Sequence, residues 1–258
     1  MTIVLMHGFG AFMHLFASRS IRPMIEALST SGHRLHAPMV QPYNRVPERA
    51  EQWMHHLSAI RSAGSSRIHL IGFSSGGLDA RYLITHLRGY EFVASLTTIS
   101  TPHRGSSLAD YVLEKPASVR GRVLGFADWM GGRLHGSEVS DSRRAVEELT
   151  TSYMIDTFNP HTPDHPDVSY TSWAGRAGVG TEVPILPPLR IPNRIVFDRE
   201  GPNDGIVSVL SATGSGFRGT IDADHARQIG IRAFNGTFDA PAFIASLVEE
   251  LSEVTPQG

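Results

Sequence analysis

A Gly-x-Ser-x-Gly motif at Gly72–Gly76 constrains the fold of this chain more than any other feature. The motif follows a strand-like apolar run, Arg67–Ile71, and opens a helix-like run that begins at its last glycine. A serine between a strand and a helix sits on a sharp turn that exposes its hydroxyl, and the small flanking residues let strand and helix approach closely. This context predicts a nucleophile elbow with Ser74 as the reactive residue.

Strand-like and helix-like segments alternate along the chain. The connections are long enough for crossovers between parallel strands, so the pattern predicts a mostly parallel, doubly wound α/β sheet. The predicted strands are Thr2–Met6, Arg34–Ala37, Ile68–Phe73, Val93–Ser100, Ser169–Ala174 and Arg194–Phe197. The predicted helices are Ser20–Ser29, Pro47–Ser62, Gly76–Arg88 and a last helix that Asp239 caps and that runs through Leu251.

The composition excludes several classes of function. Basic and acidic residues are nearly balanced, 23 against 25, so nothing indicates nucleic acid binding. The absence of cysteine excludes disulfides, thiolate metal sites and a cysteine nucleophile. No apolar run reaches the roughly 20 residues that a membrane span needs. No basic stretch precedes the first apolar residues, so we expect a cytoplasmic protein as the sequence is written. A secreted protein trimmed at its start would look the same.

Three residues in the order Ser74, Asp204 and His225 predict a catalytic triad. Sites in open α/β sheets lie at the carboxyl ends of strands, and this order is that of α/β-hydrolase triads. A serine needs a base for its proton, imidazole titrates near neutral pH, and a carboxylate fixes the imidazole tautomer. His225 alone of the 13 histidines follows the acid. Asp198 is the rival acid, and residues 203–205 also form a good turn sequence.

Neighbouring residues have expected supporting roles. The oxyanion hole of such a fold comes from the amide after the nucleophile, here Ser75, and from the loop after the first strand, here Phe9. His7 is expected to brace that loop by hydrogen bonding. Asp79 and Arg81, in the elbow helix, are expected to form a structural polar pair without a catalytic role.

The chain resembles the bacterial true lipases of the Pseudomonas and Burkholderia type, within the α/β-hydrolases. The resemblance covers most of the chain through separated, ordered segments. These are Met6–Gly10, Gly72–Leu83 (GFSSGGLDARYL), Ser100–Ser106, Tyr170–Gly175, Asn203–Val207 and Asp224–His225. It implies a serine carboxylester hydrolase that acts on acylglycerols or other small-molecule or lipid esters, with no cofactor. Transient contact with a lipid interface is compatible with that activity.

The resemblance also suggests where substrate binds. Phe12, Met13 and Phe16, in the loop after the first strand, are expected to line the acyl or alcohol pocket, because apolar walls favour apolar esters. Residues 106–167 interrupt the alternation of strands and helices, so we expect a single domain over 1–258 with an inserted helical cap or lid. Its apolar patch, Val123–Met130, fits a lid or an acyl-binding wall, and an ordinary amphipathic core helix has the same pattern.

Two features depart from the resembled family. Its members usually hold calcium near the catalytic histidine, with one ligand aspartate two residues after it, where this chain has Arg227. No carboxylate stands between Glu182 and Asp198, where a second ligand is expected. We therefore expect no structural calcium, with the arginine cation in its place. The family disulfide is missing as well, and both losses make an esterase as fitting as a secreted lipase.

Two other classes of function stay open at this point. An acyltransferase or thioesterase uses the same triad, and a catalytically silent binding protein has the same fold. The oligomeric state is not indicated by the sequence.

Overall fold

A parallel sheet forms the centre of the protein. The structure, a computed structural model, describes residues 1–8, 32–65, 67–115, 139–230 and 238–254. Within these residues the sheet has six strands in the order β2-β1-β3-β4-β5-β6, and every neighbouring pair is parallel. The strands are β1 Thr2–Met6, β2 Arg34–His36, β3 Ile68–Phe73, β4 Val93–Ile99, β5 Ser169–Gly175 and β6 Phe217–Ile221.

Helices connect these strands. The longer ones are α1 Val46–Ser62, α2 Gly76–His86, α3 Ser107–Glu114, α4 Val139–Glu147, α5 Arg190–Glu200 and α6 Ala240–Val254. Shorter helical turns are Gly89–Glu91, Pro187–Leu189, Val209–Ala212 and Arg227–Ile229. A mixed helical stretch consists of Thr151–Tyr153, Met154–Phe158 and Asn159–His161. No helix in the described ranges is long and apolar enough to cross a membrane.

Each face of the sheet carries its own hydrophobic core, because successive side chains of a strand point to opposite faces. Val4 and Leu70 pack with α1 and α2, where Trp53 and Leu83 are completely buried. Ile3, Ile71 and Ile99 face the other way, and Ile244, Leu247 and Val248 of α6 pack on them. The result is a three-layer α/β/α sandwich that holds the carboxyl ends of β1, β3 and β4 at one edge.

The predicted strand at 194–197 is wrong, because these residues lie within α5. The run Ile195–Phe197 has high strand propensity, but its buried positions follow helical spacing and Arg194 pairs with Asp198 one turn later at 2.9 Å. The sixth strand is instead β6, which the sequence did not indicate because most of its side chains are exposed. Asp204 therefore follows a helix, and His225 follows β6.

The remaining predicted strands agree with the structure to within a residue or two, and so do the helices over Pro47–Ser62 and Gly76–Arg88. Asp239 caps α6 as expected, since its Oδ1 accepts a hydrogen bond of 3.1 Å from the amide of Ala242. The predicted helix Ser20–Ser29 and the patch Val123–Met130 lie outside the described residues. The described parts of 106–167 are helices and turns, as expected, and its role as a cap stays a prediction.

Candidate active site

Ser74 occupies the turn between β3 and α2. Its backbone has φ of +55°, a conformation that side-chain-bearing residues rarely adopt, and its amide donates to the carbonyl of Ile99 at 2.9 Å. The turn is tight, because a Cβ on Gly72 would lie 2.6 Å from the Cα of Gly77. Thr101 Oγ1 donates to the Ser74 carbonyl at 2.8 Å, which anchors the strained residue. These features are those of the predicted nucleophile elbow.

The loop after β1 lies directly against this serine. A Cβ on Gly8 would approach the Cβ of Ser74 to 2.6 Å and its Oγ to 3.0 Å, so a glycine is required there. The buried His7 ring holds this loop, since Nε2 accepts from the Val40 amide at 3.1 Å and Nδ1 therefore donates to the Gly8 carbonyl at 2.9 Å. The expected bracing role of His7 has this geometric support. Phe9, Phe12, Met13 and Phe16 lie outside the described residues.

Ser75 is the residue that precedes the first residue of α2. It is buried, and within the described part of the chain no group accepts a hydrogen bond from its amide. An amide at a helix N-terminus carries partial positive charge, so this position suits a donor to a developing oxyanion.

Asp204 and His225 form a buried pair. The imidazole Nδ1 lies 2.7 Å from Asp204 Oδ2, and the His225 amide donates to the Asp204 carbonyl at 2.9 Å. The other carboxylate oxygen, Oδ1, accepts from the amides of Ile206 at 3.0 Å and Val207 at 2.9 Å. Burial raises the pKa of Asp204, but His225 and the two amides outweigh it, so its pKa lies below the ordinary value. The carboxylate is thus kept charged beside the imidazole.

The rival acid is placed elsewhere. The side chain of Asp198 is more than half exposed on α5 and pairs with Arg194. The imidazole of His225, in contrast, lies beside the elbow, because its ring packs on that of Phe73 with centroids 4.7 Å apart. The structure therefore brings His225 next to the residue that precedes Ser74, with Asp204 on the far nitrogen of the imidazole.

An arginine occupies the region where the lipase resemblance implies calcium. Arg227 is buried, pairs with Asp224 at 2.8 Å and donates to the Pro184 carbonyl. Asp224 also accepts from the Leu186 amide at 3.0 Å, so the pair ties the loop after β6 to the 184–186 segment. Burial raises the pKa of Asp224, and its hydrogen bonds and the charge of Arg227 oppose that effect only in part. A guanidinium at this position does not fit a divalent cation beside it.

The expected pairing of Asp79 with Arg81 is wrong. Asp79 is completely buried and pairs with Arg49 of α1 at 2.8 Å, and its Oδ2 also accepts from Trp53 Nε1 at 3.1 Å. Arg81 instead donates to Asn159 Oδ1 at 2.9 Å and to the Thr162 carbonyl at 2.8 Å. Each residue therefore has its own partners, and the absence of a catalytic role stays a prediction.

Sequence reasoning missed two residues near the site. Arg49 Nη2 donates to the His7 carbonyl at 2.6 Å, which joins α1 to the loop beside Ser74. Its position next to Ala50 on the apolar face of α1 was the available signal, since a buried arginine requires acceptors. Gln228 donates to Asp204 Oδ2 at 3.1 Å, and its only signal was its place one turn after His225.

The chain is similar in sequence to proteins named triacylglycerol lipase. Triacylglycerol lipase 2 of Saccharomyces cerevisiae is 37% identical over 61% of this chain, which spans only 44% of that relative. A triacylglycerol lipase of Pseudomonas fragi is 28% identical over 88% of this chain and 87% of its own length. The Pseudomonas fragi relative confirms the resemblance to bacterial lipases, and both names agree with the expected enzyme class, a carboxylester hydrolase.

Solved structures confirm the α/β-hydrolase fold. The mature lipase BlEst2 of Bacillus licheniformis superposes with a TM-score of 0.71 at 23% identity, over 95% of this chain and 91% of that one. The metagenomic carboxyl esterase MGS0156 superposes with a TM-score of 0.76 at 18% identity, over 99% of this chain and 76% of that one.

The family model described as palmitoyl protein thioesterase matches residues 2–144. The matched stretch contains the Ser74 elbow and the loop after β1, and it ends before Asp204 and His225. Because it covers more than half of the residues, the chain belongs to the palmitoyl protein thioesterase family.

Proposed function

We propose that the chain hydrolyses fatty acyl esters through Ser74, His225 and Asp204. The observation that carries the proposal is the buried hydrogen bond of 2.7 Å between His225 and Asp204, next to a serine held at positive φ. Relatives named triacylglycerol lipase support the class of substrate.

In the proposed reaction, His225 Nε2 is the base, because Nδ1 is engaged by Asp204. Nε2 takes the proton of the Ser74 hydroxyl as Oγ attacks the ester carbonyl carbon, and Asp204 stabilises the imidazolium that forms. Collapse of the tetrahedral intermediate breaks the bond to the alcohol, which leaves with the proton from Nε2. Water, deprotonated by the same nitrogen, then attacks the acyl-enzyme and releases the fatty acid and free Ser74.

The amides of Ser75 and Phe9 are the proposed oxyanion donors. The contact between Gly8 and Ser74 supports this assignment, because it places the residue before Phe9 against the nucleophile. Each such donor contributes about 10²–10³-fold to the rate in enzymes of this kind. Phe12, Met13 and Phe16 follow in the same loop and are the proposed apolar wall, with 106–167 as the proposed cap over the site.

The proposal is tested with p-nitrophenyl esters from acetate to palmitate, for wild type, Ser74→Ala and a Ser75→Ala control that keeps the backbone amide. We expect activity toward longer acyl chains that disappears in Ser74→Ala, persists in the control and is unchanged by EDTA. A preference for acetate makes the protein a short-chain esterase. Wild-type activity in Ser74→Ala, or no activity in any protein, contradicts the proposal.

A thioesterase is the second candidate, because the matching family model is described as palmitoyl protein thioesterase. The same triad cleaves a thioester, with a thiol leaving in place of the alcohol and taking the proton from Nε2. Competition between a palmitoyl thioester and the p-nitrophenyl ester of the same acid compares the two directly. A larger kcat/KM for the thioester favours this candidate. Product analysis with added alcohol identifies an acyltransferase, and failure of a fluorophosphonate to label Ser74 indicates a binding protein.

A further inference from the structure

The carboxylate of Asp204 accepts one more hydrogen bond than a catalytic triad requires. Gln228 Nε2 lies 3.1 Å from Oδ2, the same oxygen that accepts from His225. With the amides of Ile206 and Val207 on Oδ1, four donors surround the two oxygens. Neither the elbow motif nor the triad order accounts for the fourth donor.

The orientation of the Gln228 amide is fixed by its surroundings. Nε2 contacts Asp204 Oδ2 and, at 3.2 Å, the carbonyl of Ala223, and both atoms are acceptors only. The nitrogen must therefore face them with its two hydrogens, because a flipped amide would set its oxygen against two acceptors. The side chain is 3% exposed, so water does not compete for these bonds.

Two backbone features place this amide. Gln228 belongs to the short helix Arg227–Ile229, and its own amide bonds to the Asp224 carbonyl at 3.2 Å, so it sits on the same turn as His225. Gly175, the last residue of β5, leaves the space that the amide fills. A Cβ at that position would lie 1.8 Å from Gln228 Nε2, so a side chain on residue 175 and this amide cannot coexist.

We propose that Gln228 is a positioning residue for the acid–base pair, one that holds Asp204 Oδ2 toward His225 and moderates its strength as an acceptor. The inference rests on the proposed function, in which His225 is the base. A donor to a carboxylate disperses its negative charge, so Asp204 stabilises the imidazolium less than it would with three donors. Loss of this donor is therefore expected to strengthen the stabilisation that Asp204 gives to the imidazolium.

The other groups around the pair do not supply this effect. Phe73 faces the imidazole from β3, and the loop at 203–207 presents only backbone amides to the carboxylate. The loop after β6 carries three charged residues between positions 222 and 227. Asp222 pairs with Arg176 at 2.7 Å. Asp224, which interacts electrostatically with Asp204, pairs with Arg227 at 2.8 Å.

The test compares Gln228→Met, Gln228→Glu and the control Gln52→Met. Methionine has a similar length but no donor, and it also removes the amide oxygen, which is buried without a hydrogen-bond partner in the described part of the protein. Glutamate keeps the shape and adds a second carboxyl group beside Asp204. Gln52 lies on α1, where it accepts from the Gln41 amide, so its substitution makes the same chemical change away from the triad.

We expect the acid limb of the kcat/KM profile to move to higher pH by about 0.5–1 unit in Gln228→Met, and by more in Gln228→Glu. KM stays within about twofold of wild type, because Gln228 is buried against Asp204 Oδ2 and the Ala223 carbonyl. Gln52→Met keeps the wild-type profile. Acid limbs unchanged from wild type in both folded Gln228 variants overturn the inference. If the methionine variant does not fold, the glutamate variant decides alone.

A second readout needs no substrate. The proton between His225 Nδ1 and Asp204 is followed by its low-field NMR resonance, which we expect to move further downfield in Gln228→Met and not in Gln52→Met. If the wild-type protein cleaves no ester but the resonance moves downfield in Gln228→Met, the inference is supported while the proposed function fails. An unmoved resonance, together with ester hydrolysis that requires Ser74, rejects the inference and leaves the proposed function standing.

Discussion

Asp79 and Asp204 are both completely buried, yet their surroundings differ in one respect. Asp204 has donors on both oxygens, and its pKa is lowered although burial opposes this. Asp79 has Arg49 and Trp53 on Oδ2, while Oδ1 has no hydrogen-bond partner within the described residues. Burial raises the pKa of Asp79, and its partners do not fully offset this. Both oxygens of Asp204 are hydrogen-bonded and one oxygen of Asp79 is not, and this difference accompanies the opposite displacements of their pKa values.

The two aspartates hold different parts of the candidate site. Asp204 works through His225, whereas Asp79 links α2 to Arg49, which in turn binds the His7 carbonyl. The first arrangement keeps a carboxylate charge beside the imidazole of His225. The second fixes the elbow helix relative to the loop after β1, so its contribution is expected in stability more than in the chemical step.

Substitution of each aspartate by asparagine separates these roles most strongly. We expect Asp204→Asn to lower kcat by about 10⁴-fold, as loss of the acid does in related triads, because the amide no longer holds the correct tautomer. Asp79→Asn should lower kcat by less than about tenfold, because Asp79 does not contact the reacting groups. The measurement is kcat for one p-nitrophenyl ester, with Ser74→Ala as the background. Equal losses of kcat in the two folded variants would contradict the different roles expected for Asp204 and Asp79.

Removal of Arg49 tests the structural pair. Arg49→Met leaves a buried, unpaired carboxylate and is expected to cost about 3–5 kcal/mol in the free energy of unfolding. Arg49→Met combined with Asp79→Leu removes both charges, and we expect it to recover most of that loss. Urea unfolding of the single and double variants measures both values. A double variant as unstable as the single one shows that packing of the arginine, and not its charge, matters.

The opposite pKa displacements predict opposite pH dependences. The pKa of Asp79 is raised in the folded protein, so its protonated form stabilises the fold below about pH 4, the ordinary aspartate range. This contribution to the free energy of unfolding is lost as the pH rises through the pKa of the folded state. Asp79→Asn should therefore gain stability relative to wild type as the pH rises above about 4. Ionised Asp204 favours the folded state above that range, and this contribution to the free energy of unfolding is lost as the pH falls through its lowered pKa. The loss of stability in Asp204→Asn relative to wild type should therefore become smaller below about pH 4.

Each unit by which a folded pKa is displaced corresponds to about 1.4 kcal/mol, so these are the smallest effects. Thermal midpoints of both variants and wild type, measured from about pH 3 to pH 7, give the two trends. Parallel plots of thermal midpoint against pH for the two variants would show that the aspartates titrate alike, which would contradict the opposite pKa displacements.

The sequence predicted the parts of the molecule that local pattern decides. The elbow at Ser74 has a strand, a glycine-flanked turn and a helix in adjacent residues, and Asp204 and His225 followed from chain order. The residues 194–197 were assigned to a strand because Ile-Val-Phe favours one locally, whereas packing of α5 determines the outcome. β6 was missed because its exposed side chains lack the usual alternation.

Contacts between residues that lie far apart in the sequence were not predicted. Asp79 pairs with Arg49 of α1 and not with Arg81 of its own helix, since the helices that meet are set by the tertiary fold. The contact of Gln228 with Asp204 likewise depends on Gly175 at the end of β5. Such choices combine three separate segments, and no local pattern specifies them.

The position of β6 at the edge of the sheet has a consequence for how the protein is inactivated. β6 pairs with β5 alone among the described strands, and the loop that follows it carries His225. An edge segment opens at a lower free energy than central strands such as β3, which carries Ser74. Mild heat or denaturant is therefore expected to displace His225 while Ser74 stays in the folded part of the protein. Activity would then vanish before the circular dichroism of the sheet changes, and it would return on cooling without refolding of the core.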